Sequence, residues 1–184
     1  MDLFKHIQLP FANVLQYHTK EYMSNFSGEI LHVQNIPIPD ADMQLINSYL
    51  ESKGVSKLKN VLAFKRKMEY IDYTDCHVDT NSREYIRCSV VIPVSGCKHT
   101  KQYWYSGDYS VEKRTTPSGS DYYAITWNKM PDFAGEVEIY NNPTLVRTDV
   151  PHSAYSFNNE YRITCTIRFI NNESFEYLSE KLST

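Results

Sequence analysis

A His-x-Asp pair, His77 and Asp79, is the first place in the sequence where side chains of suitable type and spacing could hold a metal ion. The pair follows a run of strand-forming residues, and side chains two positions apart on a strand point to the same face. Taken alone, the pair is equally an ordinary polar strand end. A third ligand decides between the two interpretations, and the candidate is His152, which opens a later predicted strand after a turn.

Arg162 and Thr164 follow His152 at the start of the last predicted strand, where alternation puts both side chains on one face. Two imidazoles and a carboxylate on one face of an octahedron leave three positions open, which is the arrangement that suits non-haem iron oxygenases. A guanidinium is a planar, permanently charged partner for a carboxylate, and a nearby hydroxyl adds a hydrogen bond. The pattern therefore predicts an iron site that also binds a dicarboxylate.

These segments resemble the Fe(II)- and 2-oxoglutarate-dependent dioxygenases over roughly residues 60–170. The resemblance rests on HVD at 77–79, on VPH at 150–152 and on YRITCTIRF at 161–169. The stretch RCSVVIPVSGCKHTKQYWY, at 87–105, is also similar to the strand-and-loop region of small oxygenases of this class from bacteria and phages.

The resemblance implies that His77, Asp79 and His152 bind Fe(II). It implies further that Arg162 pairs with the C5 carboxylate of 2-oxoglutarate and that Thr164 adds a hydrogen bond. With O2 as the third participant, such an enzyme hydroxylates a small molecule or a peptide side chain and releases succinate and CO2. The family members that halogenate lack the carboxylate that Asp79 supplies, so hydroxylation or a related oxidation is the expected outcome.

Ser89 and Tyr73 are two further candidates for contact with 2-oxoglutarate, with Arg87 and Tyr70 as alternatives. Ser89 faces the polar side of its predicted strand, and Tyr73 lies just before the metal motif. Tyrosines in the strands of a barrel are more often packing residues than ligand contacts.

The elements that must position these residues are mainly short strands after a helical start. We expect a mainly β fold with flanking helices in one domain, 1–184, with a double-stranded β-helix (jelly-roll) core at 60–170. Residues 1–59 form its helical and mixed N-terminal support, and residues 171–184 form a C-terminal tail. The chain of 184 residues is long enough to bury such a core.

The clearest predicted helix lies in PIPDADMQLINSYLESKG at 37–54, with Asp40 or Asp42 as its cap and Gly54 at its end. A second helix is predicted within residues 12–24. The predicted strands are VLAF, MEYIDY, EYIRCSVVIPV, KQYWY, DYYAITW, GEVEIY, TLVRT, HSAYSF and YRITCTIRFI, and the turns between them include SGD, PSGS, PDFAG, NNP and NNE.

Composition and charge restrict the classes of function. A net charge of −3 and a pI near 6.1 argue against a dedicated nucleic-acid binder. The sequence has neither a signal-peptide pattern nor an apolar run of membrane length. The four cysteines form no paired C-x-x-C ligands, and Cys88 and Cys165 alternate with apolar neighbours, so reduced thiols and a cytoplasmic location are expected. Cys97 and His99 could form half of a zinc site, but no second pair of ligands accompanies them.

Two alternatives to an oxygenase remain at this level. A cupin-like metal protein fits less well because its H-x-H motif with a following Glu is missing. A metal-free jelly-roll binding module is the other alternative.

The aromatic stretch YWYSGDY at 103–109 is a substrate lid or, preferably, an edge strand with its loop. The basic run from Lys53 to Lys67 is better interpreted as a solvated face than as a contact for an acidic partner. No oligomeric state is predicted.

Overall fold

Two six-stranded antiparallel sheets form the body of the protein in its computed structural model. The structure describes residues 1–26, 32–67, 76–79, 88–115, 121–156 and 161–183. The strands are β1 (Phe4–His6), β2 (His32–Asn35), β3 (Leu58–Lys67), β4 (His77–Val78), β5 (Cys88–Ser95), β6 (Thr100–Ser106), β7 (Tyr109–Thr115), β8 (Asp121–Trp127), β9 (Asp132–Glu138), β10 (Thr144–Arg147), β11 (His152–Ser156) and β12 (Tyr161–Phe169). The helices are α1 (Ala12–Ser24), α2 (Asp40–Ser52) and α3 (Phe175–Lys181).

The strand order confirms the predicted jelly roll. The first sheet runs β1-β10-β5-β12-β3-β2 and the second runs β7-β8-β4-β11-β6-β9, and every neighbouring pair is antiparallel. Several neighbours, such as β5 and β12, are far apart in the chain, as expected where two sheets are wound from one ribbon of strands. None of the helices in the described ranges is long and apolar enough to cross a bilayer.

The main core lies between the first sheet and the helices that cover its outer face. One side of each central strand supplies it, because alternate side chains point the same way. Its fully buried members include Leu15, Met23, Ile46, Leu50, Val90, Ile92, Cys165, Ile167 and Leu178. The other side of the same strands faces the second sheet, where Trp104 packs with Val91 and Val146 and donates its indole N–H to the Arg147 carbonyl at 2.9 Å.

The two predicted helices form, but the predicted cap of α2 is wrong. Pro39 occupies the N-cap position without a side-chain hydrogen bond. Asp40 and Asp42 lie instead in the first turn, where their charges favour the positive end of the helix dipole. Gly54 follows the helix with φ of +75°, as a C-terminal glycine should.

Most predicted strands form, and DYYAITW coincides with β8. The preference for an edge strand within YWYSGDY is wrong, since β6 lies between β11 and β9. The expected turn PDFAG belongs largely to β9, which begins at Asp132.

The C-terminal segment, residues 171–184, contains α3, whose Phe175 and Leu178 join the main core. The predicted strand at 68–73 lies outside the described residues.

Candidate metal centre

His77 and Asp79 are placed by a very short strand. His77 belongs to β4, which lies between β8 and β11, and its neighbour Val78 points the other way into a small apolar cluster with Ile125. Asp79 follows directly after the strand, and its backbone N–H donates to the Thr148 carbonyl at 3.0 Å. The alternation of a strand and this single backbone bond therefore direct both side chains to the same side.

His152 opens β11 directly opposite His77. The two residues are register partners, and their ring centroids are 4.4 Å apart. Nδ1 of His152 donates to the Val150 carbonyl at 2.9 Å, since a carbonyl can only accept. That bond fixes the ring tautomer and leaves Nε2 with a free lone pair for a metal ion.

The three predicted ligands converge. One ligand atom each from His77, Asp79 and His152 lies within 4.8 Å of the other two, and this is the one such group of His, Cys, Asp and Glu in the described part of the chain. His77 Nε2 is 3.8 Å from Asp79 Oδ1. Ligand atoms bonded to one ion at about 2.1 Å and at right angles are about 3 Å apart, so small side-chain rotations close the site.

Arg168 holds the carboxylate of Asp79. Its Nη2 donates to Asp79 Oδ2 at 2.8 Å, and both side chains are largely buried. Burial by itself raises the pKa of the Asp79 carboxyl, but Arg168 and the two histidines outweigh that effect and lower the pKa below its usual value. Asp79 is therefore ionised at neutral pH, with Oδ1 on the side of His77.

Arg162 and Thr164 lie on β12 and share the face of Arg168, so they point between the two sheets. Thr164 is buried. Nε of Arg162 is also buried and has no hydrogen-bond partner. Burial lowers the pKa of Arg162, and the nearby positive charge of Arg66 lowers it further. The six positions from Arg162 to Arg168 correspond to about 20 Å along an extended strand. The two arginine side chains are therefore attached near opposite ends of β12.

The other predicted contacts of 2-oxoglutarate differ in what the structure shows of them. Ser89 is buried on β5 with an Oγ that has no hydrogen-bond partner, and the register of β5 with β12 places it near the Arg168 end. Tyr73, Tyr70 and Arg87 lie outside the described residues.

No metal pair forms between Cys97 and His99 in the described structure, because the Cys97 thiol donates to backbone carbonyls at 3.2 Å while His99 is exposed.

Three nearby residues were not singled out as site residues from the sequence. Arg168 shares the alternating face of Arg162, which is the signal that could have found it. Arg66 was assigned to a solvated basic run, but it lies opposite Arg162 on β3. Tyr122 of β8 contacts the His77 ring edge-on, with centroids 6.0 Å apart, and no motif marks it.

Comparison with known proteins supports the fold. Scans of the sequence against protein-family models and against curated proteins give no match. The epimerase SnoN, solved with Fe3+, alpha-ketoglutarate and nogalamycin RO, superposes with a TM-score of 0.51 at 12% identity, over 90% of this chain and 78% of its own. A prolyl-4-hydroxylase from Pseudomonas putida gives a TM-score of 0.47 at 13% identity, over 90% of each chain. The likeness to SnoN, at this low identity, is a likeness of fold alone.

Proposed function

We propose that this protein is a non-haem Fe(II)- and 2-oxoglutarate-dependent oxygenase. The observation that carries the proposal is the convergence of His77, Asp79 and His152 between the two sheets of a jelly roll. Two imidazoles and one ionised carboxylate suit Fe(II), and they occupy one side of the ion so that other positions stay open. Iron bound there, together with 2-oxoglutarate and O2, supplies the oxidising chemistry that hydroxylates the substrate and yields succinate and CO2.

The residues of the chain hold this centre in position. The Val150 carbonyl sets the tautomer of His152, while Arg168 and the Thr148 carbonyl orient Asp79. Such outer partners keep ligands in their binding geometry and tune their basicity. The site thus has a fixed ligand set in which Asp79 remains anionic.

Arg162 supplies the cation for the C5 carboxylate of 2-oxoglutarate. Arg168 is already paired with Asp79, whereas Arg162 has no carboxylate partner among the described residues. A bidentate bond from a guanidinium to a carboxylate is charge-assisted and directional. Thr164, the next inward residue on β12, adds a hydroxyl, and Ser89 and Tyr73 remain further candidates for contact with the same ligand.

The substrate is a small molecule or a peptide side chain, and hydroxylation is the proposed outcome. Tyr122 lies beside His77 and is only partly buried, so its ring is a candidate wall for the substrate. None of the four cysteines, all of which lie in the described ranges, forms a disulfide, and this fits a reducing compartment such as the cytoplasm.

Anaerobic titration of the purified protein with Fe(II) and 2-oxoglutarate tests the proposal. A keto acid chelated to Fe(II) gives a visible charge-transfer absorption, and its appearance supports the assignment. His152→Ala should abolish the band, while His99→Ala, which changes an exposed histidine, should leave it intact. If the wild-type protein gives no band and forms no succinate in the presence of O2, a jelly-roll binding module is the better assignment.

A further inference from the structure

Two arginines face each other across neighbouring strands at the end of the interior remote from Arg168. Arg162 of β12 and Arg66 of β3 are direct register partners. Side chains of opposite partners in an antiparallel pair lie on the same face, with Cβ atoms about 5 Å apart, and like charges in this position repel. The arrangement is destabilising unless a negative charge compensates it.

The other arginines of this sheet show how the protein normally compensates such a charge. Arg147, which is buried on β10, pairs with Glu176 and lies 3.5 Å from Asp149. Arg168 pairs with Asp79 at 2.8 Å. Each of these cations therefore has a carboxylate supplied by the chain itself.

Among the described residues, Arg162 and Arg66 have no such partner. Neither forms an ion pair with a carboxylate of the described residues, and Nε of Arg162 is buried without an acceptor. The group beside Arg162 is the thiol of Cys97, whose pKa is raised by burial, so it stays neutral. An unpaired, partly buried cation with a second cation opposite is the arrangement that an anionic ligand completes.

Backbone that follows β5 packs closely against the start of β12, beside Arg162. Gly96, with φ of +61°, lies so close to the start of β12 that an added Cβ would be 2.0 Å from the Tyr161 carbonyl oxygen. The Cys97 thiol donates to the Ile163 carbonyl next to this contact, at 3.2 Å. The Gly96 backbone and the Cys97 thiol therefore occupy the β5 side of Arg162.

We propose that Arg66 and Arg162 together form a two-cation site for the distal carboxylate of 2-oxoglutarate. This inference rests on the proposed function and adds Arg66 as a second binding residue for the same ligand. Two guanidinium groups around one carboxylate bind the dicarboxylate more tightly than one alone, and ligand binding removes the repulsion between them. Arg66 therefore contributes to affinity for the ligand and not to the stability of the ligand-free fold.

The first test uses metal-free protein and glutarate, a five-carbon dicarboxylate that lacks the keto group. Calorimetry and thermal unfolding should show glutarate binding to the wild-type protein. Arg66→Gln should weaken that binding roughly tenfold or more, since it removes a charged hydrogen-bond donor. The ligand-free variant should be at least as stable as the wild-type protein. Arg66→Lys should recover part of the affinity, and Lys59→Gln, which removes an exposed charge from the same strand, should change neither quantity.

A second measurement separates this inference from the proposed function. Co(II) affinity, measured by absorption, should be unchanged in Arg66→Gln, whereas the 2-oxoglutarate concentration that half-saturates the anaerobic Fe(II) band should rise about tenfold. If wild-type protein gives no band but binds glutarate through Arg66, the oxygenase assignment fails and the anion site stands. Equal affinities of wild type and Arg66→Gln for both acids, or a less stable ligand-free variant, would overturn the two-cation site.

Discussion

Arg168 and Arg162 lie on the same strand and the same face, yet their surroundings are opposite. Arg168 pairs with Asp79, a carboxylate 89 residues away in the chain. Arg162 meets another arginine across the sheet and has no carboxylate among the described residues. Removal of one partner from a largely buried ion pair leaves the other charge uncompensated, whereas a cation without an anion from the chain is available to a ligand. The difference distinguishes, within one β-strand, an arginine that is paired inside the chain from one that we propose binds a ligand.

The largest effect is expected from Arg162→Met. Removal of the bidentate cation should weaken 2-oxoglutarate binding about 100-fold, or about 2.7 kcal/mol. The anaerobic absorption titration measures this loss, with Co(II) affinity as the internal control because Arg162 does not touch the metal ligands. Loss of metal binding together with 2-oxoglutarate binding would contradict the division of roles between the two arginines.

Arg168→Met should destabilise the metal-free protein, which Arg162→Met should not do. It leaves the Asp79 carboxylate largely buried without its partner, which should lower the free energy of unfolding by about 2 kcal/mol after allowance for the residual exposure of the pair. Urea denaturation measures the change. Arg162→Met in the same experiment should be as stable as the wild-type protein or more so, because it removes an unpaired charge. Equal losses in the two variants would remove the distinction between them.

Thr164→Val tests the hydroxyl beside Arg162. Valine fills the same space, so the fold should persist, while the lost hydrogen bond should weaken 2-oxoglutarate binding about fivefold, or about 1 kcal/mol. Thr164→Ser should restore the affinity if the hydroxyl is the group that matters. An unchanged affinity in Thr164→Val would assign Thr164 to packing alone.

The smallest expected effect concerns Cys97 and pH. Burial raises the pKa of the Cys97 thiol above its usual 9.0, and Arg162 offsets part of that rise. A group whose pKa is raised in the folded state contributes its full stabilisation to the fold below its unfolded pKa. That contribution is lost as the pH rises toward the folded pKa. As the pH rises above 9, the Arg162→Met variant should therefore lose slightly more of its free energy of unfolding than the wild-type protein, as measured by urea denaturation.

The double variant Arg162→Met/Cys97→Ser removes the titrating thiol. If the extra loss of stability above pH 9 persists in the double variant, Cys97 is not its source, and Arg162 does not act on this thiol.

Local patterns in the sequence predicted the ligands and the fold class. The period of two along YRITCTIRF assigned one side of β12 to the core and the other to polar residues, and the structure confirms this division. His77, Asp79 and His152 were predicted from residue type and their places at strand ends, because those features depend on short stretches of chain. Their convergence supports the metal site, although their roles as iron ligands remain a proposal.

The partners of the two arginines could not be predicted in the same way. The Asp79–Arg168 pair depends on how the two sheets close on each other, which no local pattern specifies. Arg66 was grouped with the basic run around it, which was treated as one surface. Strand alternation divides that run, so that Lys65 contacts the Phe26 carbonyl while Arg66 faces the interior opposite Arg162.

The pairing of β4 with β11 has a consequence for the amount of folded protein in a cell. His77 and His152 become neighbours only after these two strands have joined, so the unfolded chain has no preformed metal site. A metal ion that binds only the folded chain therefore shifts the folding equilibrium by mass action, by about 2.7 kcal/mol when its free concentration is a hundred times its Kd. Scarcity of the metal would then enlarge the unfolded population that proteases degrade, and the abundance of the protein would follow the metal supply.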